Sequence, residues 1–175
     1  MSPHDFVATR SALLSADGLY RYELTRLWAA GPLVCFVMLN PSTADAIDDD
    51  ATLRRCLGFA RAWGFGGLYV VNLFAFRATD PRQLRYAADP VGPHNDKHIL
   101  DAAARATEVV CAWGPGGTYQ QRDAEVRRLL LQDRSRIFSL GRTIGGHPPH
   151  PLRLRRDLPR VGYYERMSTP DRSKP

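Results

Sequence analysis

The sequence predicts an α/β protein of three layers, a mainly parallel four-stranded sheet with an antiparallel hairpin at its edge and helices on both faces. Three observations predict it. Four short runs, LVCFVML, LYVVNL, EVVCAW and RIFSL, are apolar almost throughout, as strands covered on both faces are. The segments between them carry apolar residues at helical spacing, which gives repeated strand–helix–strand units and hence parallel strands. The loops that follow the four runs are richer in Gly, Pro, Asn, His and Thr than plain connectors need to be.

The elements follow in chain order. In Leu19 to Trp28, Tyr20, Tyr22 and Leu24 alternate with Arg21 and Glu23, the period of a strand with one wet face. AAGP turns the chain into the run Leu33 to Leu39, so these two strands are expected to form the antiparallel hairpin, with the first at the sheet edge. In the segment after LNPSTAD, Leu53, Cys56, Leu57, Ala60 and Trp63 share a helical face opposite Arg54, Arg55 and Arg61. Acidic residues crowd its start and Gly64 follows its end, as capping and the helix dipole favour. Leu68 to Leu73 is the next covered strand. A helix from Asn95 to Ala106 buries Ile99, Ala102, Ala103 and Ala106, with Asn95 and Asp96 as its expected caps. Glu108 to Trp113 is a third strand, Tyr119 to Leu131 a helix with Val126, Leu129 and Leu130 inward, and Arg136 to Leu140 a fourth strand.

The 175 residues suit one domain, expected over residues 1–160, with residues 161–175 as a C-terminal tail. With 44% hydrophobic and 24% charged residues, the composition is that of a globular chain. No apolar run reaches the roughly 20 residues that span a bilayer, and MSPHDFVATRSALLS lacks the order of a secretory signal. A cytoplasmic location without membrane contact is therefore expected. Cys35, Cys56 and Cys111 lie apart in apolar segments and read as buried free thiols. The net charge of +6 favours an anionic partner. All cations but Lys97 and Lys174 are arginine, which suits forked phosphate contacts but also follows from GC-rich codons.

In an open parallel sheet ligands sit at the carboxyl ends of the strands. The loops that emerge there are LNPSTAD, NLFAFRATDP, WGPGGTY and GRTIGGHPPHP. Asn40 and Pro41 suit a turn as well as a site. Asn72, an amide at the end of a covered strand, must find partners or pay about 1 to 3 kcal/mol in lost solvation. Its donor and acceptor complement a nucleobase edge or another amide. His147 and His150 stand in a loop stiffened by Pro148, Pro149 and Pro151, and a pre-ordered donor stabilises developing negative charge. His94 and His98 have the spacing of a metal pair, but no third ligand lies near them, and neither metal nor cofactor is expected. GPGG suits a phosphate approach or a tight turn, and it lacks the Lys-Ser/Thr of a P-loop. No G-x-S-x-G elbow is present, which leaves Ser42 with a loop histidine as a lesser nucleophile reading.

RYELTRLW, VMLNPSTAD, DDDATLRRCLGFARAWGFGGLYVVNLFAFRATDP, GPHND and GHPPHPL together resemble the bacterial domain-of-unknown-function 1643 family over about residues 18 to 155. The order of strand, Asn-Pro loop, helix, Asn-bearing strand and final His-Pro loop is also similar, more distantly, to the uracil-DNA glycosylase superfamily. That likeness implies a uracil-DNA glycosylase-like fold in which Asn40 positions the attacking water, Asn72 reads the base, and His147 or His150 stabilises the departing base anion. Met38 and Ser42 stand where the mismatch-specific branch has two glycines. Asp45 is a second candidate for polarising the water. Pro41, Ser42, Phe74, Arg77 and Gly114 complete the expected binding residues, Phe74 or Phe76 by stacking on the base.

The expectation is an enzyme acting on nucleic acid or a nucleotide, cleaving the N-glycosidic bond of a flipped base. Arg153, Arg155, Arg156 and Arg160 are expected to meet backbone phosphates. The alternatives are a non-catalytic binder of a modified base or nucleotide and a small-metabolite hydrolase using Ser42.

Overall fold

The computed structural model describes residues 8–131 and 136–164. A seven-stranded sheet runs through it, with strands β1 (Thr9–Leu14), β2 (Arg21–Leu27), β3 (Leu33–Met38), β4 (Gly67–Asn72), β5 (Glu108–Cys111), β6 (Ile137–Ser139) and β7 (Val161–Gly162) in the spatial order β1-β2-β4-β3-β5-β6-β7. The neighbours β4, β3, β5 and β6 are mutually parallel. They correspond to the four apolar runs. Antiparallel strands flank them, β2 and β1 on one side and β7 on the other.

The hairpin differs from the sequence expectation. β2 does not pair with β3. It runs antiparallel to β4, with Leu24 opposite Val70, and to β1, with Ala12 opposite Leu24. The edge strand is therefore β1, whose side chains are mostly exposed, while β2 is interior. The alternating polar residues of β2 are not wet, since Arg21, Thr25 and Arg26 are buried. At the other edge, β7 carries the sheet into the segment read as a tail, and Tyr163 is buried there against Trp113. The rest of that tail lies outside the described residues.

Helix α1 (Ala51–Ala62) covers one face, packing Leu53, Cys56, Phe59 and Ala60 against Val34, Phe36, Leu68 and Val70. It begins where the Asp50 carboxylate accepts from Leu53 N at 2.7 Å. It ends before Gly64, whose φ of +85° few other residues adopt. Helices α2 (Asn95–Arg105) and α3 (Arg122–Leu129) cover the other face over Val37, Val71, Val109 and Cys111.

Two helix expectations change. His94, not Asn95 or Asp96, occupies the N-cap of α2. The amide of Asn95 instead turns inward to the end of β4, and Asp96 accepts from Arg122. The helix expected from Tyr119 is split into a 3-10 segment, Pro115–Gln121, and α3. Gln120 and Gln121 break it with φ of 53° and 56°. No helix among the described residues is long and apolar enough to cross a membrane.

Candidate functional site

Beyond their last paired residues, β3 and β4 stay together: Leu73 N donates to Met38 O at 2.9 Å and Phe74 N to Leu39 O at 3.0 Å. The two loops that follow are then stitched by Asn40. Its Nδ2 donates to Ala78 O at 2.8 Å and to Pro41 O at 3.1 Å. Both amide protons are spent in the fold, so only Oδ1 is left to meet a ligand, and it can only accept. Pro41 itself is buried, its carbonyl accepting from Ala78 N at 2.9 Å.

The Ser42–Asp50 loop is held from beneath by Arg26. Its guanidinium donates to Asp49 Oδ1 at 2.9 Å and to Asp45 O at 2.5 Å. The Asp45 carboxylate is occupied in the loop, where Oδ1 accepts from Ile47 N at 2.7 Å and Asp48 N at 2.8 Å. Those backbone bonds hold its pKa below the usual carboxylate range. Asp45 does not reach the cleft described next. Asp50 does, one residue before α1, with Oδ1 spent on the helix cap and no protein hydrogen bond to Oδ2.

The last loop reaches the same place from far along the chain. Arg55 of α1 donates to the carbonyls of Pro151 and Leu154, docking the 3-10 turn Pro151–Arg153 on the helix. This brings His150 and Leu152 over the start of α1. His150 Nδ1 accepts from Leu152 N at 3.3 Å, which fixes the neutral ring with its proton on Nε2. Burial lowers its pKa against a smaller opposing pull from Asp50, so neutrality is favoured.

These loops enclose a cleft of about 390 Å³ on the α1 face. Asn40, Ser42, Asp50, Asn72 and His150 line it along with Arg21, between apolar walls that include Leu24, Met38, Leu53 and Val70. Asn72 is 1% exposed, and neither its Oδ1 nor its Nδ2 has a protein partner. Arg21 is 4% exposed; its Nη1 donates to Ala44 O at 2.5 Å and its Nε has no partner. The Ser42 hydroxyl makes no hydrogen bond to His150 or Asp50, which line the same cleft. Cys56 also lines the cleft, but burial pushes its thiol up and it stays protonated.

Several expected residues lie elsewhere. Phe74 is fully buried on the opposite face beside Tyr119, because it lies past the end of β4, where the strand's alternation no longer holds and both Leu73 and Phe74 turn to that face. Phe76 packs edge-on against Tyr20. Arg77 Nη1 donates to Gly18 O at 3.2 Å, outside the cleft lining. Gly114 ties the third loop to the last, its N–H donating to Pro148 O at 2.8 Å.

Gly117 is a packing glycine, since a Cβ there would lie 2.4 Å from Trp113 Cδ1. Close packing at Gly116 and Gly117 thus accounts for two of the glycines in GPGG. His147 belongs to a local turn, where its N–H donates to Thr143 Oγ1 at 3.1 Å and its ring lies against Gly145. His98 stacks on Tyr22 at 4.6 Å, and no group of three metal-ligating side chains occurs among the described residues. Of the arginines expected to meet phosphates, Arg160 pairs with Glu108 and Arg155 with Asp157. Sequence reasoning missed Arg21 and Asp50, the first because it alternates like a solvent-facing residue and the second because it reads as a cap alone.

No curated protein and no solved structure matches the chain. A family model described as "Protein of unknown function (DUF1643)" matches residues 21–152, a span that runs from β2 into the 3-10 turn after His150 and holds every cleft-lining residue named above. By that match, the chain belongs to the DUF1643 family.

Proposed function

We propose that this protein acts on a nucleotide or on nucleic acid and hydrolyses the N-glycosidic bond of a base held in the α1-face cleft. The observation that carries this is Asn72, a fully buried amide facing the cleft with both polar atoms unpartnered. Leaving such a group unsatisfied costs about 1 to 3 kcal/mol, and a ligand edge with one donor and one acceptor removes that penalty. Nucleobases have such edges and flat apolar faces, which suit the walls formed by Leu24, Met38, Leu53 and Val70. The volume of about 390 Å³ is at the small end of the range of about 300 to 1,000 Å³ for ligand sites. A ligand of about nucleotide size suits it.

The remaining groups supply a hydrolysis. Asn40 Oδ1 accepts a hydrogen bond from the attacking water and Asp50 Oδ2 takes its proton, the role expected of Asp45, which does not line the cleft. The water oxygen bonds to the anomeric carbon, the carbon–nitrogen bond breaks, and the electron pair leaves with the base. His150, neutral with Nε2–H free, donates to the departing base. The similarity in loop order to the uracil-DNA glycosylase superfamily agrees with this assignment.

Purified protein tested against oligonucleotides bearing uracil, mismatched or modified bases, and against free nucleosides and nucleotides, should release free base from one of them. Asn40→Ala and Asn72→Ala should each lower that release by about 10²- to 10³-fold, the range typical for loss of one positioned polar group. Tight binding without release by the unsubstituted protein would replace catalysis with recognition. Undiminished release from the double variant would overturn the residue roles.

A further inference from the structure

The cleft contains a charge that base recognition leaves unused. Arg21 begins β2, is 4% exposed, and lines the same cleft as Asn72 and Ser42. No carboxylate among the described residues lies within 4.0 Å of its guanidinium. Its one protein hydrogen bond from the side chain is Nη1 to Ala44 O, and Nε is buried with no partner.

The other buried arginines are treated differently. Arg26 reaches Asp49 at 2.8 Å, and Arg122 reaches both Asp96 and Glu125. Burying a guanidinium away from any counter-charge is among the more costly arrangements a fold can keep. Burial pulls Arg21 down only to about 10, so it remains a cation at neutral pH. Asp50 acts on it from a distance and is already spent in part on the cap of α1.

We infer that Arg21 is the anion-binding residue of the cleft, and that the ligand presents a phosphate to its Nε edge. Guanidinium offers phosphate a forked, permanently charged donor set. Because Arg21 and Asn72 are almost wholly buried, the group that reaches them is an end of the ligand. A terminal phosphate monoester meets that condition; an internal diester, whose chain must leave in two directions, does not. The favoured ligand is therefore a nucleoside monophosphate and not a polymer. This rests on the cleft being the ligand site proposed above, but not on base release.

The test uses the full chain and calorimetric titration with inorganic phosphate, with matched nucleosides and nucleoside 5′-monophosphates, and with a short single-stranded oligonucleotide. Inorganic phosphate should bind and raise the melting temperature, and a monophosphate should bind at least tenfold more tightly than its nucleoside. Arg21→Met should lose at least tenfold in affinity for both phosphate probes, and Arg21→Lys should recover part of it. An oligonucleotide that binds with the same dependence on Arg21, when monophosphates do not, assigns the phosphate to a nucleic acid instead.

If Arg21→Met fails to fold, Asn72→Asp serves in its place. A carboxylate there puts a negative charge in the same cleft, so phosphate binding should be lost. Phosphate-bearing probes that bind Arg21→Met or Asn72→Asp as well as they bind the unsubstituted chain would overturn the inference. So would the failure of all of them to bind the unsubstituted chain. Base release without phosphate dependence would leave the glycosidase proposal standing alone, and phosphate binding without base release the reverse.

Discussion

The carboxyl end of β4 has a buried arginine and a buried asparagine on each face of the sheet, and the two pairs are treated in opposite ways. On the α2/α3 face, Asn95 Nδ2 donates to the carbonyls of Asn72 and Leu73, at 2.8 and 3.0 Å. Arg122 Nε donates to the same Leu73 carbonyl at 2.8 Å, and its other nitrogens reach Asp96 and Glu125. Only Asn95 Oδ1 is left over. On the α1 face, Asn72 has no side-chain partner and Arg21 has one carbonyl. A satisfied buried network fastens helices to a strand end. An unsatisfied one beside a cleft is held for something that arrives from outside.

The difference can be broken by substitution. Arg122→Met should have the largest effect, a loss of about 2 to 4 kcal/mol. It leaves the Leu73 carbonyl without its charged donor and removes the link between α2 and α3. Urea denaturation measures it, and a loss below about 0.5 kcal/mol, the usual size of a surface change, would remove the structural half of the comparison. Asn95→Leu should cost somewhat less, about 1 to 3 kcal/mol, by leaving two carbonyls at the strand end without their amide donor.

Asn72→Leu should behave in the opposite way. The side chain makes no hydrogen bond to lose, and an apolar residue there removes two unsatisfied buried atoms. Stability should stay within about 1 kcal/mol of the unsubstituted chain or rise, since replacing unpaired polar groups by apolar ones is near neutral or stabilising. Ligand binding in the cleft should be lost in the same variant. A stability loss equal to that of Asn95→Leu would mean that Asn72 is a structural amide like its neighbour.

The same contrast decides what the sequence made legible. β3, β4 and β5 are apolar runs because both sheet faces are covered, and such runs can be read from composition alone. Asn40 and Asn72 stand out because a polar residue ending an apolar run has no solvent to serve it. β1 was not legible, since its exposed edge residues have no pattern that a core imposes. Nor was the place of β2, because Arg21 and Arg26 mimic a wet face while being buried. Their burial depends on Ala44, Asp45 and Asp49, a loop whose approach only the folded chain reveals. Asp45 and Asp50 look alike in DDD-rich sequence; backbone donors hold one carboxylate oxygen of each, and of the two only Asp50 lines the cleft. His147 and His150 differ for the same reason, as Arg55 fastens the turn after one and a local bend encloses the other.

The smallest expected effect concerns a histidine on each face. His150 borders the cleft and His98 lies on α2 against Tyr22, and burial lowers the pKa of both from 6.5 against weaker pulls from Asp50 and Glu23. A histidine whose folded pKa lies below its unfolded value binds its proton more readily when unfolded. Its contribution to stability is thus fully present above about pH 6.5 and is lost as pH falls through the folded value. For His150 a further cost accompanies protonation, because Nδ1 must then give up its bond from Leu152 N. Denaturation midpoints taken in steps from about pH 7.5 to 5 should fall on the acid side. His98→Gln and His150→Gln should each flatten part of that fall. Only the His150 part should change when a cleft ligand is bound, because only that ring borders the cleft. A ligand that altered the His98 part equally would show the two faces to be coupled through β4, and the division between a structural face and a functional one would no longer hold.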